Sequence, residues 1–306
     1  MTISFGSQGN MKLGIDLGGT KIEIVALDDE GREVYRKREA TPSGSYASTL
    51  SVIAGLVCDA EKELDQRASS VGIGTPGSIS KATGLLKNSN STCLNGRAIL
   101  EDLQSILDRE VKIANDANCF ALSEATDGAG KDSAIVFGVI LGTGVGAGIV
   151  VNGKALKGIN GISGEWGHNP LPWPGTEELP GHTCYCGKSG CIETFLSGPG
   201  LVRWHLETSG ELLSPEEIAQ KAEKGDKSCE QSMSMYENRL ARSLAHVINI
   251  LDPDSIVLGG GLSNIGRLYR NIPEFWGKWV FSDRVDTQLR KHFHGDSSGV
   301  RGAAWL

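Results

Sequence analysis

"MKLGIDLGGTKIEIVALDDEGREVYRKR", residues 11–38, is the stretch that decides the fold. It reads as an apolar strand to Asp16, a Gly18-Gly19 turn, an alternating strand from Ile22 to Leu27, a polar "DDEG" turn and a third strand, together an antiparallel meander. The pattern returns at residues 138–154 as "GVILGTGVGAGIVVNGK". Laid over the first copy, Gly138 meets Gly14, Leu141 meets Leu17, Gly142 meets Gly18 and Ile149 meets Val25. An internal repeat of this kind predicts two similar α/β domains.

The turns carry the functional signal. Glycines let a ligand approach the backbone, and successive amide N–H groups at such a turn form a concave anion site. The first turn adds the Thr20 hydroxyl and the Lys21 charge, and Asp16 at the strand end can hold magnesium through water. The second offers Gly142, Thr143 and Gly144. A lone Gly-Gly pair is usually only a turn, but two facing turns of this type suit a polyphosphate. Neither copy is a P-loop, which needs G-x-x-x-x-G-K-[ST].

Two further stretches fit the same chemistry. From Met233, the apolar positions Tyr236, Leu240, Leu244, Val247 and Leu251 recur at helical spacing, "DPD" stops the helix, and the strand "SIVLGGG" follows. Gly259, Gly260 and Gly261 leave bare backbone on which a base or ribose can lie. In "IANDANCF", Ile113 closes a strand and Asn115-Asp116-Ala117-Asn118 opens a helix. Asp116 there is either a helix cap or, set between two phosphate turns, the group that takes a proton from an acceptor hydroxyl.

"CYCGKSGC", residues 184–191, gathers Cys184, Cys186 and Cys191. Gly187 and Gly190 supply the tight turns that let three thiolates converge, and His168 upstream completes the Cys3His set that structural zinc favours. His182 is a rival fourth ligand that spacing does not separate from His168. The Cys-x-x-Cys spacing of a thioredoxin-type redox pair is absent. The other four cysteines, Cys58, Cys93, Cys119 and Cys229, read as buried free thiols.

Composition narrows the class. With 306 residues, 39% hydrophobic and 22% charged, the chain reads as a globular protein of one large or two ordinary domains. Its 30 basic against 37 acidic residues, net charge −7, leave no basic field for nucleic acid. Nothing approaches a membrane span or a secretory signal, so a cytoplasmic protein is expected. Residues 1–10, "MTISFGSQGN", read as a disordered leader.

The succession "GIDLGGTK", "GTPG", "NDAN", "LGTGVGAG", "GEWGH", "CYCGKSGCIE" and "VLGGG" resembles the ROK family of bacterial sugar kinases and sugar-responsive repressors, over almost the whole chain from Met11. The resemblance implies an actin-like ATPase fold of the ribonuclease H type, two similar α/β domains with ATP and sugar in the cleft between them. Gly14 to Lys21 and Gly138 to Val145 would hold phosphates, with magnesium, and Gly259 to Gly261 the adenosine. Asp116 would be the catalytic base, and Asn115, Asp116, Glu165, His168 and Glu193 would hold the sugar. In the family the histidine of "GExGH" touches both sugar and zinc, which favours His168 over His182. Repressors of the family carry an N-terminal helix-turn-helix, whereas ten residues precede Met11 here, so a kinase is expected. A homodimer is typical of the family.

"KNSNSTCLNGR" (87–97) and "GEWGHNPLPWPG" (164–175) resemble the mannofructokinase or fructokinase branch more than the N-acetylglucosamine kinases. Phosphorylation of fructose, and of mannose, at the 6-hydroxyl is therefore expected, with N-acetylglucosamine or glucose as alternatives. The expected domains are 11–126 plus 287–306, and 127–286 with the zinc loop.

Overall fold

The computed structural model describes residues 11–89 and 91–306, so the expected leader lies outside the described residues. Strands β1 (Lys12–Leu17), β2 (Lys21–Leu27) and β3 (Glu33–Ala40) lead into α1 (Tyr46–Leu64) and β4 (Ser70–Thr75). A small hairpin, β5 (Ser78–Ile79) and β6 (Leu86–Lys87), precedes α2 (Ile99–Leu107), β7 (Glu110–Asn115) and α3 (Asp116–Thr126). Then come β8 (Ile135–Leu141), β9 (Val145–Val151) and β10 (Lys154–Ala155), followed by α4 (Ile192–Leu196), α5 (Gly198–Ser209), α6 (Pro215–Glu223) and α7 (Lys227–Leu251). The chain closes with β11 (Ser255–Gly259), α8 (Leu268–Trp276), β12 (Gln288–Lys291) and α9 (Ser298–Ala304).

Two compact units result. One holds the described residues up to Asp127 with Lys157–Ile162 and Asp296–Leu306, and the other holds Gly128–Leu156 and Ser163–Gly295. The first unit's sheet runs β3-β2-β1-β4-β7 and the second's β10-β9-β8-β11-β12. Counted from its own first strand, each order is 3-2-1-4-5, so the sequence repeat is a repeat of topology. In each, an antiparallel hairpin, closed at Leu17↔Ile22 or Leu141↔Val145, continues into parallel strands on its other side.

Each unit has its own core. In the first, Ile15, Ile22, Ile24, Ile73 and Val111 of the sheet pack with Ile53, Leu56 and Val57 of α1 and Leu103 of α2. In the second, α7 lays Met233, Tyr236, Leu240, Leu244 and Ile248 against Phe137, Val139, Ile256 and Leu258. Asp226 caps the start of α7, accepting from the Cys229 N–H at 2.9 Å, and Asp252 ends it in the left-handed region before Pro253.

Three details differ from the sequence expectation. The segment from 287 does not return to the first unit until Asp296, because β12 pairs in parallel with β11 through Ser255↔Gln288 to Leu258↔Lys291. Gly14 is not at the turn but buried in β1, where a Cβ would lie 2.2 Å from the Val300 carbonyl oxygen of α9. Gly72 and Gly302 serve the same close approach, against Ala303 and Cys119, so Gly14 seats α9 and is not available to phosphate. Of the scattered cysteines, Cys119 and Cys229 are buried, but Cys93 is half-buried and Cys58 is exposed on α1, off the stripe of Ile53, Leu56, Val57 and Ala60.

Among the described residues no helix is long and apolar enough to cross a membrane.

Candidate active site

In the first unit the turn after β1 is fixed by backbone. The Gly18 N–H donates to Lys21 O at 3.0 Å, the Thr41 N–H to Thr20 O at 3.0 Å, and the Thr41 hydroxyl to Gly18 O at 2.8 Å. A Cβ on Gly18 would come within 2.9 Å of Lys21 O, while Gly19 and Thr20 are exposed at the tip. The Gly18 N–H is thus used inside the turn, and Gly19 and Thr20 form its exposed tip.

Asp16 stands beside this turn, opposite Glu23 on β2 and Gly74 on β4. Burial, then the negative charges of Asp116 and Glu23, push its carboxyl up to about 6, against the opposing pull of Lys21 and Arg38. Glu23 behaves oppositely. Although burial works to raise it, hydrogen bonds from Arg36 Nε (2.6 Å) and Arg38 Nη2 (2.9 Å to each oxygen) hold it below the usual carboxylate range.

Asn115 and Asp116 sit where β7 becomes α3. Asn115 is the cap: its Oδ1 accepts from the Ala117 N–H at 2.9 Å and its Nδ2 donates to Gly77 O at 3.3 Å. An amide can accept and donate twice, so Asn115 keeps capacity for a sugar hydroxyl. Asp116 Oδ1 also accepts from Ala117 N–H at 2.8 Å, and the residue is otherwise exposed. The cap is therefore Asn115, and Asp116 is the first residue of α3, a position where a carboxylate suits the helix N-terminus. Beneath it, burial and the charges of Asp116 and Asp16 push the Cys119 thiol far up, so it stays neutral.

In the second unit the turn after β8 is built differently. The Gly142 N–H donates to Gly144 O at 3.0 Å, and Gly142 O accepts from the Gly198 N–H at 2.8 Å. Glu193 Oε2 accepts from the Val145 N–H at 2.9 Å, and a Cβ on Gly144 would lie 2.8 Å from that oxygen. Glu193, expected at the sugar, thus also pins the second turn, and it does so two residues after Cys191.

The cysteine cluster lies in the same unit. The ligand atoms of His168, Cys184, Cys186 and Cys191 all lie within 4.8 Å of one another. His168 Nδ1 is 3.5 Å from Cys184 Sγ, and Cys186 Sγ is 3.6 Å from Cys191 Sγ. A tetrahedral site with metal–sulfur bonds of about 2.3 Å has edges of roughly 3.8 Å, so the set fits such an ion, and it is far too open for a disulfide. With Nδ1 turned to the sulfurs, the other ring nitrogen, Nε2, meets the Tyr185 hydroxyl at 2.9 Å, an outer-shell contact of the kind that fixes a ligand's orientation. Tyr185 was only a spacer in the sequence reading. His182 is elsewhere, its Nε2 at 3.5 Å from Glu207.

Glycines seat the rest of "GEWGH". A Cβ on Gly164 (φ +90°) would lie 2.1 Å from Ala147 O, and one on Gly167 2.2 Å from Val145 O, so the segment rides directly on β9 and leaves Glu165 exposed. Gly260 (φ +79°) likewise abuts Leu141 O. That contact brings the third glycine cluster to the second turn, where Gly142, Thr143, Gly261 and Leu262 line a cavity of about 580 Å³. Its remaining walls, Gly198, Pro199 and Val202 of α5 with Pro215 and Glu216 of α6, were not singled out in the sequence. Gly259 is buried as the last residue of β11.

A sequence model of the ROK family matches residues 12–306. The N-acetyl-D-glucosamine kinase of Pasteurella multocida (strain Pm70) is 40% identical over 301 residues, 97% of this chain and 99% of that protein. The crystal structure of the ROK hexokinase from Thermus thermophilus superposes with a TM-score of 0.86 at 28% identity, covering 96% of this chain and 97% of that one. A ROK family glucokinase from Streptomyces griseus, solved in complex with glucose and AMPPNP, gives 0.74 at 27%, covering 96% and 98%.

Proposed function

The chain belongs to the ROK family, and we propose that this sugar kinase of actin-like ATPase fold transfers the γ-phosphoryl group of ATP to the primary hydroxyl of a hexose, with N-acetylglucosamine as the first candidate acceptor. The observation that carries the acceptor is the 40% identity to an N-acetyl-D-glucosamine kinase across nearly the full length of both chains. This revises the expectation of fructose or mannose, since relatives named for N-acetylglucosamine match at 38% to 40%. Fructose and mannose remain a second reading, carried by this chain's own "KNSNSTCLNGR" and "GEWGHNPLPWPG".

In this reading Asp116 accepts the proton of the acceptor hydroxyl, and Asn115, Glu165, His168 and Glu193 hold the remaining hydroxyls. A site built of such donors and acceptors rejects a sugar that leaves them unpaired. Gly19, Thr20 and Lys21 serve the phosphates, as do the amides of 142–144, while Gly261 and the cavity beside it serve the adenosine. Positioning and fixed charge supply most of the rate in phosphoryl transfer. Magnesium, when bound, supplies positive charge at the phosphates, and Asp16 is the carboxylate suited to it. His168, Cys184, Cys186 and Cys191 would hold a structural zinc ion, which would order the loop that ends at Glu193. A cytoplasmic homodimer is the form this reading expects.

The deciding experiment is a coupled ADP-release assay with N-acetylglucosamine, fructose, mannose and glucose. The highest kcat/KM on N-acetylglucosamine is expected. A preference of tenfold or more for fructose or mannose would return the assignment to the second reading, and ADP release independent of any sugar would contradict both.

A further inference from the structure

We propose that the cavity between the 172–179 loop and the outer face of α7 is a second, non-catalytic ligand site that takes a neutral hexose in its pyranose form. The cavity measures about 470 Å³ and shares no residue with the turns, carboxylates or cysteines above. On one side α7 presents Gln231, Ser234 and Asn238, spaced as one helix face. On the other stand Trp173 and Trp279, stacked with centroids 5.2 Å apart and planes at 25°.

Trp173 is the unusual residue. It is 48% exposed and its φ is +46°, a left-handed backbone that a bulky side chain adopts only where its surroundings enforce it. The enforcing group is Arg242, whose Nη1 donates to the carbonyls of Pro172 (2.9 Å) and Trp173, and whose Nη2 donates to both oxygens of buried Glu178 (2.8 and 3.0 Å). Arg239 Nε donates to the same carboxylate at 2.7 Å. A buried network of three charges therefore holds a tryptophan in a strained, half-exposed position where it adds little to the core. Apart from Trp279, the ring of Trp173 meets His246 edge-on at 6.3 Å, and it stays half-exposed beside the cavity, as a ligand platform would.

The polar atoms point to the ligand's chemistry. Arg242 Nε and Trp279 Nε1 are buried donors without a protein partner, both on residues that line the cavity, and Arg242 is only 3% exposed. The polar side chains that a ligand in the cavity can reach are Gln231 and Ser234, both exposed, and the half-buried Asn238. Flat aromatic faces beside two carboxamides and a hydroxyl match a ring with an apolar face and a rim of hydroxyls. Charge excludes a phosphorylated sugar: Glu178 and the exposed Glu177 balance Arg239 and Arg242, leaving no net positive field.

The test is calorimetric titration of the full chain, without ATP, using N-acetylglucosamine, mannose and glucose. Two sites per chain are expected for at least one of them. Trp173→Gly removes the aromatic face and suits the left-handed backbone, so the fold should persist; it should weaken the second site at least tenfold and leave the first site and kcat unchanged. Asn238→Ala should weaken the same site. One site per chain with all three sugars, or unaltered binding in both variants, would overturn the proposal. So would a fall in oligomeric state of Trp173→Gly in sedimentation velocity, which would mark the cavity as a contact between copies.

Discussion

The turns at 18–21 and 142–145 begin from the same sequence pattern and the same strand order, yet they are secured by different means. The first is closed by its own backbone and Thr41, and it is surrounded by charge: Asp16, Glu23, Lys21 and Arg38. The second carries no charged residue and is held from outside, by Gly198 and by Glu193, which follows the cysteine cluster. The same strand order thus occurs twice, and the two copies differ in what supports their turns. In the proposed function the first copy holds the carboxylate suited to magnesium, Asp16, and lies beside the proposed general base, Asp116. The second is tied through Glu193 to the loop whose His168, Cys184, Cys186 and Cys191 could hold a metal ion.

The sharpest way to break this division is to remove the base. Asp116→Asn should lower kcat by roughly 10² to 10⁴ while sugar affinity, read by calorimetry, stays near that of the parent. Unchanged turnover would take the chemistry away from the first unit. Next in size is metal removal. Stripping zinc with a strong chelator, or replacing Cys186 by Ser, should raise the sugar KM by about 10-fold to 100-fold. Amide hydrogen exchange should quicken at 142–145 and stay unchanged at 18–21. Equal quickening at both turns would erase the distinction.

The smallest effect is on stability. The native-state carboxyl of Asp16 is raised from 3.8 to about 6, so between those pH values the folded chain binds a proton that the unfolded chain has lost. Stability contributed by that proton is present below pH 4 and is lost as pH rises through about 6. Asp16→Asn, measured in chelator by urea denaturation, should therefore be more stable than the parent at pH 7 by on the order of 2 kcal/mol, and no more stable at pH 3.5. An equal gain at both pH values would mean that the ionised carboxylate is not the cause.

What the sequence revealed and what it hid follow from range. The repeat, the strand-to-helix junction at Asp116 and the Cys-x-Cys-x4-Cys spacing are local patterns, and each appears in the structure where it was read. The role of Gly14 was hidden because the carbonyl it must admit, that of Val300, belongs to the far end of the chain. Glu193 looked like a sugar ligand alone because its bond to the Val145 N–H spans 48 residues. The walls supplied by α5 and α6 carry only ordinary capping signals, Ser197 and Ser214 each followed by proline near the helix start. β12, "QLRK", lacks the apolar alternation that would have tied it to the second sheet. Cys58 was legible after all, since helical spacing sets it off the buried stripe of α1.

The central claim is phosphoryl transfer to a primary hydroxyl, and phosphorus NMR of a reaction with ATP and N-acetylglucosamine tests it directly. ADP and a sugar monophosphate esterified at the 6-hydroxyl are expected in equal amounts, with mannose and fructose run in parallel as the other acceptors. ATP left intact with all three sugars, or phosphate on the anomeric hydroxyl, would contradict it.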